Sequence, residues 1–204
     1  NPPAHTNPPW IRSAPLTDGA GSFSTVQRIT LAVVCAATAM LMLDIAVVNT
    51  ALPSMAREFD ASMNSLKWVI DGYTLALATV VLSAGAWADR IGRRRVFVVG
   101  AVVFTIGSAV CAAAGDIGTL NAARVGQGLG AALLFASSLA LLANAFPGKE
   151  ERTKALAAYG ATIGASFAVG PLLGGVLTDW IDWRAIFVVN IPLGIAMGVS
   201  PVVS

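Results

Sequence analysis

Charged side chains are scarce over most of this sequence, and the stretches without them are about as long as a bilayer is thick. Crossing about 30 Å of hydrocarbon takes about 20 helical residues. Five stretches meet that length, at about 29–50, 66–87, 96–115, 119–146 and 155–178, and a sixth runs from about 185 to 204. All are dense in Ala, Leu, Val and Gly, and none alternates with period two as the strands of a membrane barrel would. The expected fold class is therefore all-α: a polytopic membrane bundle of six transmembrane helices. Composition agrees, because only 12% of the residues are charged and 56% are hydrophobic, against about 25% charged in an average soluble domain.

Residues 1–28 are rich in Pro, Ser, Thr and Gly and hold little that could be buried, so they read as a disordered tail. They lack the basic start, short apolar core and cleavage site of a signal peptide. The first residue is Asn1 rather than Met, and the expectation is that the sequence starts inside a longer reading frame. Loop charge sets the orientation. With the amino terminus inside, Arg12, Arg28, Arg90, Arg93, Arg94, Arg95, Lys149, Arg152 and Lys154 are cytoplasmic, Arg57, Lys67 and Arg184 lie outside, and Arg124 is within a span. Trp68, Trp180 and Trp183 then fall at the outer interface and Trp87 near the inner one. The expected location is the inner, cytoplasmic membrane.

Several function classes drop out. The net charge is +2 and the basic residues come in short bursts between apolar runs, unlike the stripe of a nucleic-acid binder. Cys35 and Cys111 lie inside apolar runs and read as packing residues, and His5 has no ligand-like neighbour, so no metal site is expected. No nucleophile, base and orienting group assemble into an enzyme's catalytic set. No cofactor is expected; a proton gradient would be the energy source.

An ionisable side chain inside a span costs at least about 2.5–3.5 kcal/mol on insertion scales and marks function by default. Three occur here, Asp44, Asp71 and Arg124, near the outer ends of the first, second and fourth spans, where they could meet at one depth. A carboxylate beside a guanidinium in a low-dielectric cavity is held charged by its partner and pushed toward neutrality by desolvation. That balance suits proton coupling, with the protonated carboxyl releasing Arg124 and the carboxylate recapturing it. The alternative is a static salt bridge, and Asp71 could instead snorkel to water. Gln127 follows Arg124 at helical spacing.

Two further segments could serve conformational gating. Gly170, Pro171, Gly174 and Gly175 lie in the fifth span, where Pro171 crowds the carbonyl of Phe167 and should bend the helix. A kink needed only for packing is the plainer reading. In the loop Gly85–Arg95, Asp89 faces Arg90, Arg93, Arg94 and Arg95, with Gly92 making the turn. Such a carboxylate could pair across to a neighbouring helix end, or the loop could simply hold topology. The Gly-xxx-Asp spacing at Gly85 and Asp89 recurs at Gly175 and Asp179 on the opposite side, as inverted three-plus-three repeats would produce.

LDIAVVNTALP (Leu43–Pro53), WVIDGYTLALA (Trp68–Ala78), GAWADRIGRRR, RVGQGLGAA (Arg124–Ala132), GPLLGG and WRAIFVVNIPLG (Trp183–Gly194) come in that order. Together they resemble the signature motifs of the fourteen-span drug:proton antiporters of the major facilitator superfamily. Trp87 stands where Leu is usual, and Ser166 where Gly is. The resemblance implies proton coupling through Asp44 and Arg124, a substrate cavity that Asn49, Tyr73 and Gln127 would help to line, and outward movement of small hydrophobic or cationic compounds. It also implies a missing carboxy-terminal half of the transporter, with membrane lipid and protons as the other partners. A metabolite exporter on the same scaffold and a truncated, non-transporting membrane protein are the alternatives.

Overall fold

The computed structural model describes residues 23–198. The first helix, α1 (Thr25–Phe59), starts inside the stretch expected to be a tail. Its beginning is set by a capping box: the Ser24 hydroxyl accepts from the Gln27 N–H at 3.2 Å and Gln27 Oε1 accepts from the Ser24 N–H at 2.9 Å. At about 1.5 Å per residue, its 35 residues exceed the thickness of a hydrocarbon core. Both ends therefore project beyond the apolar stretch at 29–50.

Next come α2 (Met63–Ile91), α3 (Arg93–Ala112), α4 (Ile117–Ala145) and α5 (Lys149–Trp180). These five helices are long and apolar enough to cross a membrane. Between α2 and α3 the chain reverses over one residue, Gly92, at φ +109°, a conformation that side chains with a Cβ rarely adopt. Asp116 caps α4, accepting from the Thr119 N–H at 2.9 Å and its hydroxyl at 2.6 Å.

The sixth stretch differs from one continuous span. It forms α6 (Ala185–Val188) and α7 (Asn190–Gly198), which meet at Val189. Pro192 is the cause that the chain itself offers, because it has no N–H to give and its ring crowds the carbonyl of Val188. The remainder of that expected span, 199–204, and residues 1–22 of the expected tail lie outside the described residues.

The helices form one bundle around α4, which packs chiefly against α2 and α3 and also meets α1; α5 lies along α1, and α7 along α3. Small residues make these approaches possible. A Cβ at Gly107 on α3 would lie 2.9 Å from the Cα of Gln127 on α4, so those two backbones nearly touch. Gly170 and Gly174 on α5 rest on Ala46 and Thr50 of α1, the same four-residue step on both helices, as parallel neighbours require. Pro171 points outward between them, and the helix runs unbroken through it.

At the end holding the α3–α4 and α5–α6 connections, Trp183 is not at an exposed interface. It is 2% exposed, and its indole N–H donates to Glu58 at 2.6 Å. Arg184 pairs with the same carboxylate at 2.7 Å and donates to the Ala114 carbonyl at 3.0 Å. Glu58 and Arg184 together tie the ends of α1 and α3 to the start of α6, and the tryptophan is drawn inward with them. Trp68, Trp87 and Trp180 are exposed.

Candidate functional site

Asp44 on α1 and Arg124 on α4 meet in the middle of the bundle, with Arg124 Nη1 2.5 Å from Asp44 Oδ2. Their side chains are 0% and 1% exposed respectively. Burying two opposite charges costs several kcal/mol per ion unless further hydrogen bonds satisfy them, and the neighbouring helices supply those bonds. Arg124 Nε donates to the Val69 carbonyl at 2.9 Å, and Arg124 Nη1 also donates to Gln127 Oε1 at 2.6 Å. Asp44 Oδ1 accepts from Gln127 Nε2 and from Asn190 Nδ2, each at 3.0 Å. Gln127 Nε2 also donates to the Ser108 hydroxyl at 2.8 Å.

Aromatic rings complete the enclosure. The Tyr73 ring lies 4.2 Å from the guanidinium carbon and the Phe187 ring 5.8 Å, both within cation–π range. Tyr73 is fully buried, and its hydroxyl has no hydrogen-bond partner. Five helices thus contribute polar groups: Asp44 from α1, Tyr73 and the Val69 carbonyl from α2, Ser108 from α3, Arg124 and Gln127 from α4, and Asn190 from α7. The Phe187 ring comes from the short α6. The ion pair is thus enclosed on all sides by hydrogen-bonding and aromatic groups.

The expected residues separate into two groups. Asp44, Arg124, Tyr73 and Gln127 come together. Asp71 does not join them: it lies two residues before Tyr73, about 200° round an α-helix, and faces outward. Asn49 is exposed and donates to its own helix at the Ile45 carbonyl, 3.0 Å away. Two polar side chains went unanticipated. Asn190 carried a signal, an amide inside the apolar run IFVVNIPLG. Ser108 carried none, because a serine in such a helix ordinarily bonds back to its own backbone, as Ser108 also does to the Phe104 carbonyl.

The α2–α3 turn forms a separate cluster. Arg93 pairs with Asp89 at 3.2 Å and donates to the Ala140 carbonyl of α4 at 3.0 Å, which ties this turn to a third helix. Asp89, Arg93, Arg94 and Arg95 border an open cleft of about 900 Å³ with the start of α1 and the end of α4. Arg90 is exposed at the last turn of α2. Gly85 has open space where a Cβ would stand, as does Gly175 on α5.

Residues 34–203 match the family model described as Major Facilitator Superfamily. The chain belongs to the Major Facilitator Superfamily. The match runs through every element that builds the ion pair, so the site lies within the superfamily's transporter fold and the protein is a multi-pass membrane protein. The fold is also that of a bacterial homolog of the human lysosomal transporter Spinster, with a TM-score of 0.71 at 16% identity over 88% of this chain and 44% of that one. This superfamily member is 43% identical over 155 residues to Multidrug resistance protein Stp of Mycobacterium tuberculosis (strain ATCC 25618 / H37Rv), covering 76% of this chain and 29% of that protein. It is 46% identical over 165 residues to Puromycin resistance protein pur8 of Streptomyces alboniger, covering 81% and 33%. With Riboflavin transporter RibZ of Clostridioides difficile (strain 630) the identity is 35% over 167 residues, covering 82% and 36%. The chain thus spans about a third of the length of these relatives.

Proposed function

We propose that this chain supplies the amino-terminal six-span half of an exporter that moves small hydrophobic or cationic drugs out across the cytoplasmic membrane in exchange for protons. The observation that carries this reading is the buried Asp44–Arg124 pair, an ionisable couple at bilayer depth in a chain whose relatives include resistance proteins. Proton entry neutralises Asp44, loosens its hold on Arg124, and lets α1 and α4 shift against each other; proton loss restores the pair. The Asp89–Arg93 pair and the α1–α5 seam at Gly170 and Gly174 act as the gating contacts of that movement. In this fold the substrate pathway lies between two halves, so the whole protein is the transporting unit.

The test uses the complete protein in cells loaded with ethidium. Energised cells expressing it should lower ethidium, collapse of the proton gradient should stop the efflux, and Asp44→Asn should abolish it. Efflux that persists unchanged in Asp44→Asn removes Asp44 from the coupling step. A metabolite exporter is the second reading, favoured by the 35% identity to the riboflavin transporter. It is upheld if a broad panel of dyes and antibiotics shows no change in resistance while a metabolite is exported.

A further inference from the structure

An ionised carboxylate only accepts hydrogen bonds, whereas a protonated one carries an O–H that needs an acceptor. Asp44 has three donors around it, from Arg124, Gln127 and Asn190, so the ionised state is well served. The protonated state requires a different partner, and most acceptors at the site are engaged. Gln127 Oε1 takes Arg124 Nη1 at 2.6 Å and the Cys111 thiol at 3.7 Å. The Val69 carbonyl takes Arg124 Nε, and the Ser108 oxygen takes Gln127 Nε2.

The Tyr73 hydroxyl is unengaged but makes no hydrogen bond with Asp44; Asn190 already does. Its Nδ2 donates to Asp44, and among the described residues no hydrogen bond reaches its Oδ1. The two ends of a primary amide have nearly the same shape, one donating and one accepting. A half-turn of the side-chain amide therefore replaces donor with acceptor at the same place. Space for that rotation is at hand: Asp44 and Asn190 border a cleft of about 60 Å³ with Leu43, Val47, Leu173 and Leu193. Asn190 also opens α7 immediately after the break at Val189, so a change in its hydrogen bonding acts at a joint between two helices.

We infer that Asn190 is the positioning residue that serves Asp44 in both protonation states, donating through Nδ2 to the carboxylate and accepting through Oδ1 from the acid. The inference rests on the proton-coupling reading above. In the step, hydronium delivers a proton, an O–H bond forms at Asp44 Oδ1 with release of water, and the Asn190 amide turns to receive that O–H. Arg124 keeps its charge and its bond to the Val69 carbonyl. Around Asp44 the ionisable groups are Arg124 from α4, Tyr73 from α2 and Cys111 from α3; among the described residues, α5, α6 and α7 present none at the site.

The experiment is a pH titration of the full-length transporter in lipid, followed by infrared difference spectroscopy, with Asp44→Asn assigning the carboxylic C=O band. In Asn190→Leu, which keeps the branched shape and removes both functions of the amide, the band should shift to higher frequency because the acid has lost its acceptor. Its midpoint should move little, since Asn190 stabilises both states. Asn190→Gln, which keeps an amide, should retain the native frequency. A midpoint that moves with the frequency unchanged describes a fixed donor and overturns the inference, as does no change in either quantity. If no titrating band disappears in Asp44→Asn, the proton-coupling reading fails first and this inference with it. Should Asn190→Leu not reach the membrane, Asn190→Val removes the same bonds and is read in the same way.

Discussion

At Asp44 and Arg124 the cost of placing a charge in a membrane span is the whole argument. Neither residue could sit there without a partner, and Gln127, Asn190 and the Val69 carbonyl supply the further hydrogen bonds that the buried pair needs. The need for a partner was legible from two ionisable residues in apolar runs; the shell was not. Asp71 had the same signature and the opposite outcome, because helical phase, not depth, decides which side chain faces a partner. Within the shell, the Tyr73 hydroxyl is buried without a hydrogen bond, and an unmet buried polar group costs about 1–3 kcal/mol. Tyr73→Phe keeps the ring beneath Arg124 and removes the unmet group. It should leave stability unchanged or raise it by about 1 kcal/mol, as measured by unfolding of the purified protein in detergent.

Among the elements, caps and small residues do most of the placing. A Cβ at Gly174 would overlap the Thr50 hydroxyl and crowd Val47 on α1, whereas one at Gly175 meets nothing within 4 Å. Gly174→Ala should therefore destabilise the bundle by about 1–3 kcal/mol, the usual cost of overpacking, while Gly175→Ala should be nearly silent in the same thermal unfolding assay. The two glycines are adjacent and indistinguishable in sequence. The α4 cap makes a different prediction. The Thr119 hydroxyl, then its N–H, hold the Asp116 carboxyl below its ordinary pKa, so the contribution of the cap is full above the usual carboxylate range and is lost as pH falls through the lowered value. Asp116→Asn keeps an accepting oxygen and cannot titrate. Hydrogen exchange at the Thr119 amide should then lose the acid-dependent part of its protection.

On the scale of the whole molecule, Leu82 exposes 86% of its surface and Leu172 exposes 69%, values expected where lipid or another apolar body is the neighbour. The bundle has its Arg93–Arg95 turn at one end and Asp116 at the other, which makes orientation testable. Cysteines placed at Arg95 and at Asp116 in the complete protein, with the native cysteines removed, should react with a membrane-impermeant thiol reagent from opposite sides. Labelling at position 116 from outside and at 95 only after permeabilisation is the expected result; the reverse pattern would invert the topology.

The apolar runs by themselves determined that the chain is a membrane helix bundle, about where its helices lie, and that Asp44 and Arg124 need explaining, because the energetic cost of charge in hydrocarbon is local and can be read residue by residue. The tertiary structure alone decided that these two meet, that Asp71 and Asn49 face away, and that Asn190, about 150 residues along the chain from Asp44, closes the site. Those facts depend on helix phase and on which backbones approach closely, and neither is set until all the helices have packed.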